Sequence, residues 1–269
     1  MRSIWKGAVS FGLVTIPISL YTATEDRDVR FHQLHKKDLA RIRYKKVCEA
    51  EEEEVPEDEI VKGYEISKEN YVVMEDKDFE DLPVSSSRAI EIQEFVNLPE
   101  VDPIYFQKSY YLEPQSGAAK PYALLRDAME RSNKIALAKV TIRNKEQLAT
   151  VRVTGDALVM DTLFYPDEIR DANQLEGLTG AHVTEKEVDM ALTLIEALSG
   201  DFEPSKYHDE YREALLERIN SKAEGKPVES APVAKPAPKV MDLFETLRAS
   251  VEAAKKPEEA APKRKTRAA

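Results

Sequence analysis

In VTIPISLY, the apolar side chains of Val14, Ile16, Ile18 and Leu20 alternate with Thr15, Pro17, Ser19 and Tyr21. A period of two sends one set to one face of a strand and the other set to the opposite face. The same signal recurs at short intervals in YVVM (71–74), RAIEIQEFV (88–96), SYYL (109–112), KIALAKVTI (134–142), QLATVRV (147–153) and ALVMDTLF (157–164). Ile90 and Ile92 alternate with Glu91 and Gln93, which suits a sheet with one wet face. Residues 1–24, with VTIPISLY included, read as one or two strands. So many short strands confine this part of the chain to a β-rich unit. A helix fits between them at PYALLRDAMERS (121–132), with Pro121 in its first turn and Tyr122, Leu125 and Met129 on one face.

After residue 165 the period changes to 3.6. In HVTEKEVDMALTLIEALSG (182–200), Thr184 and Glu187 have capping-box spacing, Val188, Leu192 and Ile195 lie on one stripe, and Gly200 supplies a stop. A second helix is predicted over Pro204–Lys222. The expected fold is therefore α+β and β-rich, closed by a helical segment near 182–222. Residues 223–239 (AEGKPVESAPVAKPAPK) set four prolines among small and charged residues, the composition of a disordered linker. An apolar island, VMDLFETLRASVEAA (240–254), and a short basic tail (255–269) with Lys263, Arg264, Lys265 and Arg267 complete the chain.

At 269 residues the chain can build a full core. Its single cysteine, Cys48, excludes an intrachain disulfide and a Cys-based zinc site, and suits a reducing compartment. Gly7 to Thr24 carries no charge, but its strand period, two glycines and Pro17 argue against a signal core or a membrane span. A cytoplasmic protein with no membrane partner is expected.

Catalytic signatures are missing: there is no Gly-rich phosphate loop, GxSxG, HExxH or CxxC. His32 and His35 with Cys48 nearby could be drawn as metal ligands, but no fourth ligand or supporting shell is visible. No enzyme, metal or cofactor is expected.

Charge is more informative. The formal net charge is −11, yet between Arg27 and Lys46 eight cations (Arg27, Arg30, Lys36, Lys37, Arg41, Arg43, Lys45, Lys46) face only Asp28 and Asp38. Directly after them come Glu49, Glu51 to Glu54, Glu57, Asp58 and Glu59. Taken as a strand, RIRYKKV would point Arg41, Arg43 and Lys45 one way and the packing residues Ile42 and Tyr44 the other. Such a row fits the phosphates of a duplex, and equally a solvated edge strand guarded by charge. Spacing alone does not separate these. The glutamates, on the DNA reading, would face outward.

In the tail island, Val240, Leu243, Phe244, Leu247 and Val251 fall at i, i+3, i+4, i+7 and i+11. This is an amphipathic helix too short to be stable alone, and the reading taken is that it folds into the groove of an external partner. Docking onto its own body is the other reading.

RSIWKGAVSFGLVTIPISLY, IVKGYEI, KSYYLEP, KPYALLRDAM and GDALVMDTLFYPDEIR, in this order, closely resemble the prokaryotic Ku family of DNA-end-binding proteins. The resemblance runs through about residue 220, and VMDLFETLRASV looks like the family's C-terminal partner-binding element. It implies a β-barrel core over residues 1–220 with an arch inserted near 25–70. Two subunits would join as a homodimeric ring threaded by a double-stranded DNA end in nonhomologous end joining, and an ATP-dependent DNA repair ligase would be recruited. An arm of about 20 strand residues at ~3.3 Å each reaches roughly 65 Å, ample to pass around a duplex. Arg41, Arg43 and Lys45 would then line the inner surface, with the glutamates outside or at the turn. Some relatives carry a longer lysine-rich tail, so strong tail-driven DNA binding is not expected here. A metal-dependent phosphoesterase acting on DNA ends and a protein-only scaffold are the alternatives.

Overall fold

The computed structural model describes residues 1–80, 88–142, 145–178, 180 and 182–225. The linker (223–239) falls outside these from residue 226 onward, as do the island (240–254) and the tail (255–269). The chain divides into two units, Met1–Asp171 and Ala172–Ala269.

In the first unit, the strands are β1 (Trp5–Phe11), β2 (Val14–Thr22), β3 (Lys62–Ser67), β4 (Asn70–Met74), β5 (Ala89–Val96), β6 (Phe106–Pro114), β7 (Ile135–Ile142), β8 (Lys145–Thr154) and β9 (Ala157–Leu163). Helices α1 (Asp76–Glu80) and α2 (Ala119–Ser132) join them. Seven strands close into a barrel in the order β1-β2-β6-β9-β8-β7-β5, while β3 and β4 form a separate two-stranded sheet. The barrel pairs are antiparallel except at the closure, where β5 meets β1 in parallel through Ala8↔Ala89, Val9↔Ile90 and Ser10↔Glu91.

The period of two sets the inside of this barrel. Ile16, Ile18 and Leu20 of β2 are buried together with Val9, Ile90, Leu112, Val140, Val151, Leu158 and Met160 from the other strands. Alanines at 136, 138 and 149 belong to the same cluster, as do Tyr122, Leu125 and Met129 of α2. The apolar face that the sequence assigns to α2 is thus the face that packs on the barrel core. Tyr122 ties α2 to β6 and β9: its hydroxyl donates to the Leu112 carbonyl and accepts from the Leu158 N–H, both at 2.7 Å. Leu112 and Leu158 face each other in the β6·β9 register, so the phenol sits where that ladder ends.

Glycines shape both pairings of β1. Gly12, with φ +59°, opens the two-residue turn between the paired Phe11 and Val14, a conformation that suits glycine at the first turn position. At Gly7, a Cβ would lie 2.2 Å from the Arg88 carbonyl oxygen and 2.1 Å from the Trp5 ring. That carbonyl accepts from the Ala8 N–H at 2.9 Å, so the close approach belongs to the β1–β5 seam.

In the second unit, α3 (Glu185–Leu198) starts with the expected capping box, Thr184 N–H and Oγ1 both reaching Glu187 Oε2 at 2.7 Å. It stops differently from the expectation: Ser199 turns extended (φ −73°, ψ 141°), and Gly200 is not in the left-handed region. Val188, Leu192 and Ile195 are exposed. The predicted second helix is divided, with a 3-10 turn at Pro204–Lys206 and α4 at Glu210–Ala223. The reason is local: Asp209 caps α4 by accepting from the Arg212 N–H at 2.9 Å. Among the described residues no helix is long and apolar enough to cross a membrane.

Candidate nucleic-acid interface

Residues 23–88 leave the barrel after β2 and return at β5. Among its described residues the excursion has no core of its own. Phe31, Leu34, Leu39, Ile42, Tyr44, Val47, Tyr64, Ile66, Tyr71 and Val73 are all exposed.

RIRYKKV does not form the predicted strand. Its ends make isolated bridges, Leu34↔Arg41 and Val47↔Glu54, with irregular backbone between. Each bridge belongs to a tight reversal too short to propagate a ladder. In the first, the His35 N–H donates to Ala40 O (2.8 Å), the Ile42 N–H donates to Gln33 O (3.0 Å), and Leu39 takes φ +59°. Asp38 stabilises this turn by accepting from the Ala40 N–H at 3.0 Å and contacting His35 Nδ1 at 3.0 Å. In the second, the Cys48 N–H donates to Glu53 O (2.9 Å), the Val55 N–H donates to Lys46 O (3.0 Å), and Glu52 takes φ +56°. The packing face assigned to Ile42 and Tyr44 meets no core among the described residues: Ile42 is exposed, and Tyr44 is 82% exposed with its hydroxyl donating to Gln33 Oε1 at 2.5 Å.

The second reversal also corrects the expected separation of charge. Glu49, Glu51 and Glu52 do lie at the turn, but Glu54 and Glu57 fold back onto the basic leg. Lys45 pairs with Glu54, and Lys46 Nζ reaches both oxygens of Glu57 at 2.8 and 2.7 Å. Upstream, Arg27 pairs with Glu25 (3.3 Å) and Arg30 with Asp26 (2.7 Å). The Asp28 N–H and then Arg30 hold the Asp26 carboxyl below its ordinary range, and Asp26 raises Arg30 in turn. Of the eight candidate cations, Lys36, Lys37, Arg41 and Arg43 have no carboxylate partner among the described residues. They flank one reversal, Lys36 and Lys37 in its turn and Arg41 and Arg43 on the returning leg.

Sequence reasoning missed the β3–β4 sheet as a pair. Tyr64 and Ile66 alternate with Gly63 and Glu65, a period of two that identifies β3 once β4 is recognised beside it. Lys62, at its start, lies 4.9 Å from the centre of the Phe79 ring and 3.2 Å from Asp76.

Asp161 is buried, but Ser109 Oγ donates to it at 2.5 Å and Arg152 Nε at 2.6 Å, so it is a structural ion pair across β6, β9 and β8. Among the described residues no three His, Cys, Asp or Glu side chains converge as a metal site requires. His35 faces Asp38 instead of Cys48.

Residues 10–190 match the family described as "Ku70/Ku80 beta-barrel domain". Proteins named "Non-homologous end joining protein Ku" are similar over nearly the whole chain. That of Bacillus subtilis is 46% identical, covering 97% of this chain and 85% of its own length. That of Heliobacterium modesticaldum is 47% identical, with 99% and 98% covered. The Frankia casuarinae protein is 48% identical across 97% of this chain, which spans 66% of that relative's length.

Proposed function

The chain belongs to the Ku family, and from that premise we propose that it binds the ends of double-stranded DNA in nonhomologous end joining. Two copies form a ring that a duplex enters through a terminus. Binding is independent of sequence, because the contacts are made to the phosphate backbone. The protein is a clamp and performs no chemistry on the end; its place is the cytoplasm, on the nucleoid. The amphipathic segment 240–254 recruits an ATP-dependent DNA repair ligase through Val240, Leu243, Phe244, Leu247 and Val251.

The observation that carries this reading is the excursion at 23–88. A barrel with an apolar core holds out a long segment whose described residues bury almost nothing and which bears Lys36, Lys37, Arg41 and Arg43 without carboxylate partners among the described residues. A two-stranded sheet is marginal by itself in water, and every residue of β3 is exposed. A second copy laid against the face that carries Tyr64, Ile66 and Val72 is the proposed cover. Phosphates are the proposed partners of the four cations.

The test uses two linear duplexes of unrelated sequence and a variant carrying Lys36→Glu, Lys37→Glu, Arg41→Glu and Arg43→Glu. Equal affinity for the two duplexes, lost in the variant, is expected. Unchanged binding by the variant removes these residues from the interface. Cutting of the duplex by the unaltered protein, abolished by a chelator, replaces the clamp with a metal-dependent phosphoesterase.

A further inference from the structure

We propose that Glu54 and Glu57 compete with DNA phosphates for Lys45 and Lys46, holding these two lysines out of the DNA contact. The inference rests on the DNA-end reading above and adds a control element to it. Its basis is the second reversal. The Val47↔Glu54 bridge and the Val55 N–H to Lys46 O bond run the acidic leg antiparallel to the basic leg, which sets Glu54 and Glu57 against Lys45 and Lys46. Opposite charges placed across neighbouring extended segments attract one another.

The consequence follows from counterion release. A free lysine that neutralises a phosphate frees a condensed cation, and each such contact steepens the fall of log affinity with log salt by about 0.9. A lysine that keeps its carboxylate adds no net charge to the contact and frees no ion. All four side chains are more than half exposed, so these pairs are weak enough to be opened by substitution without touching the fold. The salt dependence of the unaltered protein is then set by Lys36, Lys37, Arg41 and Arg43.

The experiment compares Glu54→Gln/Glu57→Gln with Glu51→Gln/Glu52→Gln, which removes the same charge from the turn without releasing a lysine. The first variant is expected to bind linear duplex more tightly and to steepen the salt slope by about 1.8 per subunit, or roughly 3.6 per dimer. Between about 50 and about 200 mM salt that adds roughly 10²-fold to the loss of affinity. The second variant shifts affinity only slightly and keeps the slope. Adding Lys45→Gln/Lys46→Gln to the first variant restores the original slope, whereas the same two changes in the unaltered protein leave it as it was. Equal effects of the two glutamate pairs, or an unchanged slope in the first, overturn the inference while DNA binding itself stands. Failure of the unaltered protein to hold linear duplex at any salt removes the reading beneath it, and the inference with it.

Discussion

Replacing Tyr122 with phenylalanine removes one oxygen and strands two backbone groups. Tyr122 is 6% exposed, Leu112 2% and Leu158 0%, so water cannot take over either bond. The Leu112 carbonyl loses a donor at 2.7 Å and the Leu158 N–H an acceptor at 2.7 Å. A buried polar group left without its partner costs about 1–3 kcal/mol, so the pair of losses amounts to about 2–6 kcal/mol. The ring stays, and with it the apolar contact of α2 with the barrel, so no cavity penalty is added. A domain of this size loses about 2–4 °C of Tm per kcal/mol, giving a fall of roughly 4–24 °C. Trp5, the single tryptophan, packs against the same core and reports barrel unfolding by fluorescence. Denaturant titration should show a lower midpoint with an unchanged slope. A loss below about 0.5 kcal/mol would refute the reasoning, because Leu112 and Leu158 would then be closing their ladder directly once the phenol oxygen is gone.

Gly7→Ala should destabilise the barrel by about 1–3 kcal/mol, since the Arg88 carbonyl is backbone and cannot swing away; a neutral result in the same titration would mean that the β1–β5 seam opens freely. Burial raises the Tyr122 phenol above its ordinary value near 10. That stabilisation is complete below the unfolded value and lost as pH climbs toward the folded one, so the unaltered protein should lose stability faster than Tyr122→Phe above about pH 10. Parallel pH profiles for the two would contradict it. Leu243→Asp with Phe244→Asp should abolish ligase recruitment in a pull-down and leave duplex binding intact; retained recruitment would place the ligase contact elsewhere.

Where side chains are buried, the sequence is readable. Ile16, Ile18 and Leu20 alternate because one face of β2 is dry, and Tyr122, Leu125 and Met129 share a face because that face meets the barrel. The parallel seam between β1 and β5 leaves no local trace, since its partners are separated by the whole excursion. Within the excursion the logic fails for a physical reason. RIRYKKV has a strand's alternation, but a strand needs a neighbour long enough to continue the ladder, and each neighbour here reverses within a few residues. The positions of the cations were legible as a list. Their division into paired and unpaired depends on which carboxylate lies across the hairpin, and linear order does not specify that.

The central claim is encirclement, so the decisive comparison is between linear and covalently closed duplex of identical sequence. Retention of purified protein on each is measured after a high-salt wash, and the closed form is then cut and tested again. The ring account predicts stable retention on the linear form, very little on the closed circle, and recovery of binding upon cutting. Equal retention on linear and closed DNA would contradict it.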